Sequence, residues 1–352
     1  MGIHGGDIYR NHVDFDFSVN VNPLGAPRKV EEALHHAVGL CGSYPDMEAG
    51  KLKKAVSMML AVPEEYLLFG NGASELLMAV VHGLKPKKTV IPVPSFYGYE
   101  YAAESAEGEI VYYIMERENS FCVTEELYKT LTGDVELLFL ANPNNPTGNL
   151  LGKETLKGIL RHCRESGIYV VLDECFIEFA GRAFSMLPEI EEFDNLILLR
   201  AFTKIFSIPG VRLGYLICKK GSALDGIARQ LPEWNLSCFA QEAGCACTLQ
   251  TGYLLETEKY IRKERGFLEE GFRQNGFSVF PSMANFILVY SERPLYEELL
   301  EKGILIRDCR NFRGLGRGFY RMAVKSRREN EILLAAISNL ENQTGGDDTW
   351  KK

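Results

Sequence analysis

The sequence lacks an excess of positive charge, and it lacks a run of 18 consecutive apolar residues. A helix that crosses a bilayer needs an apolar run of that length, so we expect no membrane span. Its 39 lysines and arginines are outnumbered by 47 aspartates and glutamates, which gives a net charge of -8. Because binding to nucleic acid without sequence preference depends on many cationic contacts to phosphates, we also expect no nucleic-acid partner.

Closely spaced pairs of cysteines are also absent. The nine cysteines are scattered along the chain, and none forms a C-x-x-C pair. A disulfide framework or a structural zinc site is therefore not expected, and we interpret the thiols as reduced core residues. The opening segment MGIHGGDIYRNHVDFDF has no apolar core of the signal-peptide type. We therefore expect a cytoplasmic protein without a bound metal.

The first 255 residues alternate short apolar runs with amphipathic stretches. Continuous runs of Val, Ile and Leu, separated by helical patterns, predict an α/β fold with a mostly parallel seven-stranded sheet sandwiched between helices. The predicted strands are Leu67–Phe69, Thr89–Val93, Glu109–Ile114, Glu136–Ala141, Ile168–Asp173, Asn195–Leu199 and Gly214–Cys218. The predicted helices between them are Ala73–Gly83, Gly98–Ala106, Lys153–Ser166 and Ala223–Leu231.

The pattern changes near residue 255. One long helix is predicted at Leu254–Asn275, and shorter strands and helices follow it. We predict a large domain over residues 45–255 and a small α+β domain over residues 256–345. Residues 1–44 are predicted to be an amino-terminal segment that joins the small domain, and residues 346–352 a frayed tail.

Three polar motifs each follow an apolar strand. Ala141–Gly148 reads ANPNNPTG, which predicts a rigid loop, although a plain turn is an equally good interpretation of this motif alone. Asp173 ends another strand, where a buried carboxylate needs a cation unless it only caps a helix. Lys204 stands among apolar residues, which lower the pKa of an amine and make it a nucleophile toward carbonyls. Alone, it is equally compatible with a surface lysine.

Together, the order and spacing of these motifs resemble the pyridoxal-phosphate-dependent enzymes of fold type I, and the resemblance covers nearly the whole chain. It implies the fold type I transferase fold and pyridoxal 5'-phosphate as the cofactor. It also implies that Lys204 binds the cofactor covalently, that Asp173 pairs with the pyridine nitrogen, and that Asn145 bonds the phenolic oxygen. Arg212 would hold the cofactor phosphate. A protonated pyridine ring can accept the electrons released at the α-carbon of the substrate.

The resemblance also indicates the rest of the cofactor site. The segment GNGASE opens a predicted helix, where the backbone N–H groups of Ala73 and Ser74 would bind the phosphate. Thr203 would add a hydroxyl, while Ala201 stands where the family often has a further hydroxyl. Phe96 resembles the aromatic residue that stacks on the cofactor ring, and a core phenylalanine is the alternative.

One motif implies a second subunit. The sequence YPD at Tyr44–Asp46 resembles the segment by which, in this group of enzymes, a tyrosine reaches the cofactor phosphate of the neighbouring subunit. Tyr44 is therefore implied to bind the cofactor in a homodimer with shared active sites. A simple Tyr-Pro turn is the alternative interpretation.

Within fold type I, the sequence is similar to the threonine-phosphate decarboxylases of cobalamin biosynthesis and to the histidinol-phosphate aminotransferases. The segments HGGDIY and SVNVNPLG, and Phe176 where many aminotransferases have tyrosine, resemble the decarboxylases. The resemblance implies decarboxylation of a small phosphorylated amino acid, O-phospho-L-threonine, to (R)-1-amino-2-propanol phosphate. An aminotransferase acting on histidinol phosphate or a related amino acid stays open. A cofactor-sensing regulator is a third possibility, and it would need a DNA-binding extension.

Seven arginines between residues 307 and 328 indicate an anionic substrate, because the guanidinium fork suits carboxylate and phosphate. Arg321 matches the arginine of the family that grips the substrate α-carboxylate, and Arg307 and Arg313 are candidates for its phosphate. A solvated charged loop is the alternative. The predicted substrate-binding residues are His4, Gly6, Asn22, Arg307, Arg313 and Arg321.

Overall fold

The computed structural model describes residues 5–344 of the chain. His4 and the predicted frayed tail, residues 346–352, lie outside the described residues. The strands of the described part are, in chain order, β1 (Phe15–Asp16), β2 (Leu67–Gly70), β3 (Lys88–Val93), β4 (Glu109–Ile114), β5 (Leu137–Ala141), β6 (Tyr169–Asp173), β7 (Leu196–Ala201), β8 (Gly214–Cys218), β9 (Ser278–Val279), β10 (Phe286–Tyr290), β11 (Ile304–Leu305), β12 (Arg307–Asp308) and β13 (Phe319–Ala323).

Helices connect most of these strands. In chain order they are α1 (Arg28–Val38), α2 (Gly50–Leu60), α3 (Ala73–Leu84), α4 (Tyr97–Ser105), α5 (Lys153–Glu165), α6 (Ile177–Ala180), α7 (Phe202–Ile205), α8 (Ser222–Ala228), α9 (Cys238–Thr248), α10 (Thr251–Gln274), α11 (Leu295–Leu300) and α12 (Arg327–Thr344). Between residues 5 and 344, no helix combines the length and the apolar character that crossing a bilayer requires.

The large sheet has seven strands in the order β2-β8-β7-β6-β5-β3-β4. The pairs from β7 to β4 are parallel, whereas β8 runs antiparallel to both of its neighbours, β7 and β2. The predicted mostly parallel seven-stranded sheet is therefore confirmed. Each strand lies within two residues of its predicted bounds, since continuous apolar runs bounded by turn residues mark buried strands well.

Burial on both faces explains the apolar strands. All six residues of β7 are buried. Helix α5 covers the sheet with an apolar stripe whose members recur at helical spacing, and these are Leu156, Ile159, Leu160 and Cys163. Side chains three and four positions apart lie on one face of a helix, so this stripe packs on the sheet while the charged residues face water.

A smaller antiparallel sheet has the order β12-β13-β10-β9. The amino-terminal strand β1 pairs in parallel with β11, so Phe15 lies opposite Ile304. The backbone of Phe17 continues this contact, donating to the carbonyl of Leu305 at 2.7 Å and accepting from Ala323 at 2.8 Å. Residues 15–17 therefore lie against β11 and β13, which belong to the carboxy-terminal part of the chain.

Sequence analysis did not predict helices α1, α2 and α9, which pack on one another. The sequence of α9, CFAQEAGCACT, consists mainly of small residues and has no clear apolar stripe. Its Gly244 shows why small residues are needed, because an added Cβ would lie 2.6 Å from Leu52 and 2.7 Å from Leu213. Helix α9 therefore needs small residues because its neighbours approach it closely, and this requirement leaves no apolar periodicity in the sequence.

The cysteines do not all lie in the core. Cys163, Cys175, Cys218, Cys247 and Cys309 are buried, whereas Cys41 is exposed. The interpretation of the thiols as core residues is therefore wrong for Cys41, which lies in the turn after α1.

Candidate active site

The carboxyl ends of β3, β5, β6 and β7 open into a cavity of about 600 Å³. Side chains at the ends of parallel strands converge on one crevice, so the polar motifs that follow these strands meet there. The predicted site residues that line the cavity are Ala73, Ser74, Phe96, Asn145, Asp173, Thr203, Lys204, Arg212, Arg307, Arg313 and Arg321. Within residues 5–344, no group of three or more His, Cys, Asp or Glu side chains could hold a metal ion.

Lys204 lies in the short helix α7, directly after β7. Burial lowers the pKa of its amine, and the positive charges of Arg321 and Arg212 lower it further. This direction agrees with the expectation from the apolar sequence around it. Among the described residues, none forms a hydrogen bond or an ion pair with the amine. The amine is therefore a nucleophile available to a ligand.

Asp173 ends β6 and is held by two donors. Its Oδ2 accepts from the hydroxyl of Tyr99 at 2.6 Å, and its Oδ1 accepts from the backbone N–H of Cys175 at 2.9 Å. Burial raises the pKa of the carboxyl, while these hydrogen bonds favour the ionised form and oppose the rise. Since each oxygen has a single donor, the carboxylate keeps lone pairs for a cationic ligand group.

Tyr99 is a site residue that sequence analysis missed. Its buried ring stacks on Phe139 with 5.2 Å between the centroids and 8° between the planes. Phe96, whose half-buried ring meets that of Tyr99 edge-on at 5.7 Å, precedes α4. The sequence signal for Tyr99 was its spacing from Phe96, because residues three positions apart at the start of a helix lie on one face. Phe96 and Tyr99 thus both reach the cavity.

The start of α3 forms an anion cradle. Its cap residue Gly72 provides no side-chain hydrogen bond, so the first N–H groups, including those of Ala73 and Ser74, remain for a ligand. Arg212 packs so closely on Gly72 that an added Cβ would lie 2.5 Å from its Nη2. The buried Thr203 lies on the same cavity wall. Guanidinium, N–H groups and hydroxyl together fit a phosphate.

Arg321 and Asn145 form a second polar group in the cavity. Arg321 donates from Nη1 to Asn145 Oδ1 at 2.5 Å and from Nη2 to the carbonyl of Ser18 at 2.8 Å. Its Nε is buried and has no hydrogen-bond partner among the residues that the structure describes. Burial lowers the pKa of Arg321 to about 10. The Asn145 amide N–H₂ group stays available as a donor, because only its oxygen is used.

Besides Arg212, four arginines line the cavity, and they differ in their partners. Arg310 pairs with two carboxylates and Arg313 with one. Among residues 5–344, Arg307 donates, by contrast, to a backbone carbonyl and to an asparagine oxygen, both at 2.7 Å, and pairs with no carboxylate. Within the same part of the chain, Arg321 also has only neutral acceptors. A buried charge without a counter-charge is costly, so Arg307 and Arg321 mark sites for anionic groups of a ligand.

Asn22 does not reach the cavity, which corrects its prediction as a substrate-binding residue. Its amide donates at 2.8 Å to the carbonyl of Ile205 and to Thr257 Oγ1, and its oxygen accepts from the backbone of Leu24. Asn20, two positions earlier, lines the cavity instead, and its buried Oδ1 has no partner. The segment SVNVNPLG contained both asparagines, but the sequence alone did not show which of them faces the ligand.

Gly6 also differs from its prediction. Its backbone N–H donates to Ser18 Oγ at 2.7 Å and is therefore not available to a substrate. Gly5 lines the cavity in its place. An added Cβ on Gly5 would lie 2.3 Å from the carbonyl oxygen of Ser18, so the segment approaches its neighbour too closely for a side chain.

An amine of lowered pKa, a buried carboxylate and an anion cradle at the ends of parallel strands define a pyridoxal-phosphate enzyme of fold type I. The chain belongs to the aminotransferase class I and II family, since a family model of that description matches residues 13–337. It is 34% identical to the threonine-phosphate decarboxylase of Salmonella typhimurium over 92% of this chain and 90% of that protein.

Two further proteins are similar to this chain. The chain is 32% identical to the adenosylcobalamin biosynthesis bifunctional protein CobDQ of Leptospira interrogans, over 92% of this chain and 38% of that protein. The crystal structure of the histidinol-phosphate aminotransferase from Clostridium acetobutylicum is similar with a TM-score of 0.88 and 34% identity, covering 94% of this chain and 99% of that one. The predicted fold type I architecture is therefore confirmed.

Pyridoxal 5'-phosphate is the cofactor of this family, and the residues present fit it. The partner-free amine of Lys204 matches the aldehyde, and Asp173 matches a protonated ring nitrogen. The uncapped start of α3 beside Arg212 matches the phosphate. Asn145 keeps a donor for the phenolic oxygen.

Replacing Tyr99 by phenylalanine tests how Asp173 is held. The change removes a hydrogen bond that favours the ionised carboxylate, so the pKa of Asp173 rises further above its ordinary value. Because the ionised form is the one that pairs with the ring nitrogen, activity is lost at a higher pH as the solution is acidified. We expect kcat/KM to fall about tenfold on the acidic side, the effect of one hydrogen bond to a charged group.

The pH profile of kcat/KM measures this effect. Tyr101→Phe is the matched control, because Tyr101 lies on the same helix but is exposed. An acidic limb at the same pH in Tyr99→Phe and in the wild type would show that the hydroxyl does not tune Asp173.

Proposed function

We propose that this protein decarboxylates O-phospho-L-threonine to (R)-1-amino-2-propanol phosphate and CO₂ in cobalamin biosynthesis. The carrying observation is that Arg307 and Arg321, two buried guanidinium groups without a carboxylate partner in residues 5–344, share one cavity with Lys204. An amino acid that carries both a carboxylate and a phosphate supplies one anion for each. The names of the Salmonella and Leptospira relatives support this substrate and this biosynthetic route.

When bound, the cofactor supplies an electron-accepting ring that stores the electrons left at the α-carbon. Asp173 supplies a fixed negative charge at the end of β6, held in place by Tyr99 and by the backbone of Cys175. Phe176 adds an apolar wall, packed edge-on against Phe286 at 5.1 Å. Asp173 thus places a fixed negative charge in the site, and Phe176 offers no hydroxyl group to a ligand.

Substrate orientation decides which bond at the α-carbon breaks. Arg321 lies beside Asn145 and holds the α-carboxylate, while Arg307 binds the phosphate from the smaller sheet. A small substrate that is bound at both its carboxylate and its phosphate cannot rotate freely. One bond at its α-carbon is therefore held in the orientation in which it breaks. Lys204 Nζ, whose pKa is lowered by burial, returns a proton to the α-carbon after CO₂ leaves.

The second candidate function is transamination of histidinol phosphate or a related amino acid. The likeness to the solved histidinol-phosphate aminotransferase favours it, since identity and TM-score are both high. Histidinol phosphate itself has no carboxylate, so it would use one of the two arginines, and the other would bind a carboxylate of 2-oxoglutarate in the second half-reaction. O-phospho-L-threonine, by contrast, uses both arginines with one molecule.

A product assay separates these two functions. We expect the purified holoenzyme to release CO₂ from O-phospho-L-threonine without any 2-oxoglutarate, leaving an amino alcohol phosphate. O-phospho-L-serine is the matched comparison, because one methyl group contributes only about 1–3 kcal/mol to discrimination. Glutamate formed from histidinol phosphate and 2-oxoglutarate, without CO₂ from phosphothreonine, would establish the second function instead.

The surface around Tyr44 supports a homodimer with shared active sites. Tyr44 is 84% exposed and does not line the cavity, although its predicted role is to bind the cofactor phosphate. Its ring lies 5.2 Å from that of Trp234, and Val38, Leu40 and Met47 are also exposed nearby in the chain. Exposed apolar side chains grouped in this way are typical of a protein interface. We infer that Tyr44 enters the site of the partner subunit.

Mixing two inactive or weakened variants tests this inference. We expect Tyr44→Ala to weaken cofactor binding about tenfold, the effect of a lost hydrogen bond to a charged group. In a heterodimer of Tyr44→Ala with Lys204→Ala, one site then has both wild-type residues, so mixed and refolded subunits regain activity. If the mixture stays no more active than the Tyr44→Ala protein alone, the sites are not shared through Tyr44.

A further inference from the structure

Arg313 lies at the rim of the cavity, in the turn between β12 and β13. Its side chain is 48% exposed, whereas the neighbouring Phe312 is buried beneath the guanidinium of Arg307 at 5.0 Å. Arg307 therefore reaches the cavity from β12, and Arg313 reaches it from the turn that follows this strand. A long, half-exposed arginine ordinarily samples many rotamers, and fixing it costs free energy.

Glu100 restrains one edge of this guanidinium. Arg313 donates from Nη2 to Glu100 Oε1 at 2.6 Å, and its Nε lies 3.5 Å from Oε2. Glu100 belongs to α4 on the large sheet, and its side chain is only 14% exposed. The pair therefore joins the two sides of the cavity with a two-point contact, which fixes orientation as well as distance.

Tyr112 restrains one face of the same group. The Arg313 guanidinium lies 4.0 Å from the centroid of the Tyr112 ring, within cation–π distance. Burial and the nearby Glu100 carboxylate raise the pKa of Tyr112 to about 12, so the ring stays neutral. Glu100 and Tyr112 therefore restrain the guanidinium of Arg313 from two directions.

One nitrogen of Arg313, Nη1, is not bound by Glu100. In the described part of the chain, no hydrogen bond or ion pair from Nη1 is formed. Arg310 also uses only Nε and Nη2 among the described residues, but two carboxylates, Asp308 and Glu297, offset its charge. Arg313 has a single carboxylate partner, so its guanidinium keeps more uncompensated charge for an anionic ligand group beside its Nη1.

We propose that Tyr112 and Glu100 are positioning residues that hold Arg313 with Nη1 toward the cavity, where it closes around the substrate phosphate together with Arg307. This inference rests on the proposed phosphorylated substrate. Glu100 and Tyr112 order the guanidinium before the phosphate arrives, so less rotamer freedom is lost on binding. Arg313 then adds a directed hydrogen bond to a subsite whose uncompensated charge comes from Arg307.

Replacing Arg313 by methionine removes that donor. We expect KM for O-phospho-L-threonine to rise about tenfold or more, the effect of one lost charge-assisted hydrogen bond, with kcat within about twofold of the wild type. Two competitive inhibitors show which part of the substrate is affected. O-phosphoethanolamine carries a phosphate without a carboxylate, and its inhibition constant rises in parallel. L-threonine carries a carboxylate without a phosphate, and its inhibition constant does not change.

Tyr112 is tested with a matched pair of variants. Tyr112→Leu loses the aromatic face, so we expect an increase of about threefold in KM and in the inhibition constant of O-phosphoethanolamine. Tyr112→Phe keeps the ring and stays within about twofold of the wild type. In the Arg313→Met background, Tyr112→Leu adds nothing further, because Tyr112 acts only through Arg313.

Two results would overturn the inference. One is an Arg313→Met enzyme that binds O-phosphoethanolamine as tightly as the wild type, and the other is a Tyr112→Leu effect that persists undiminished without Arg313. Both require a wild-type enzyme that acts on phosphothreonine. A wild type that releases no CO₂ contradicts the proposed function itself, so the two failures are distinguishable.

Discussion

Lys204→Ala is expected to abolish turnover. The amine of Lys204 lies at the end of β7, has no partner among the described residues and has a pKa lowered by burial. It serves both as the nucleophile that carries the cofactor and as the proton donor to the α-carbon, so losing it removes two functions at once. We expect CO₂ release from O-phospho-L-threonine to fall about 1,000-fold or more.

A chemical readout accompanies the kinetic one. Borohydride reduction of the wild-type holoenzyme should leave the cofactor covalently attached to the peptide that contains Lys204, and no such adduct should form in Lys204→Ala. Lys220→Ala is the matched control, since Lys220 is exposed and does not line the cavity. Turnover near the wild-type level in Lys204→Ala, or an adduct on another peptide, would refute the assignment of this lysine.

Arg321→Met is expected to lower kcat/KM for O-phospho-L-threonine about 100-fold. The guanidinium is buried, and in the described part of the chain it has no carboxylate partner and keeps an unpartnered Nε. A carboxylate bound by such a fork gains up to two charge-assisted hydrogen bonds, each worth about 1.5–3 kcal/mol. Its Nη1 also bonds Asn145, so the variant loses both the substrate anchor and a support of the cofactor site.

The two inhibitors described above separate substrate binding from general damage. Arg321→Met should weaken inhibition by L-threonine, which carries the carboxylate, and leave inhibition by O-phosphoethanolamine unchanged. Arg321→Lys keeps the charge but not the fork, so we expect an intermediate loss. Equal weakening of both inhibitors in Arg321→Met would indicate a distorted cavity instead of a carboxylate anchor. An unchanged kcat/KM would place the anchor at another residue.

Local sequence patterns were enough to predict the large sheet and the ends of its strands. Strand β4, for instance, has the predicted bounds Glu109–Ile114, because its β-branched and aromatic residues favour an extended strand even at the half-exposed edge of the sheet. Asp173 and Lys204 follow from the same pattern, since each is a charged residue at the end of an apolar run. Helix α9 was missed because close packing, not periodicity, determines its small residues.

Contacts between distant positions could not be predicted from local patterns. Tyr99 bonds Asp173 across 74 positions, and Arg313 meets Glu100 across 213. No local preference of either residue indicates its partner, because the approach depends on how α4 and the small sheet pack around the cavity. Such a contact between distant positions is therefore determined by how the helices and strands pack together.

The sequence by itself determined the seven strands of the large sheet and the helices between them, the family resemblance, and the charged residues that end the central strands, because these depend on local periodicity and on motifs contiguous in the chain. The tertiary structure alone decided that Asn20 faces the cavity while Asn22 is used in the interior, and that Gly5 and not Gly6 lines it. It also decided which arginines remain without a carboxylate. The physical reason is that the direction of a side chain and its counter-charges are set by neighbours that the chain brings together only on folding.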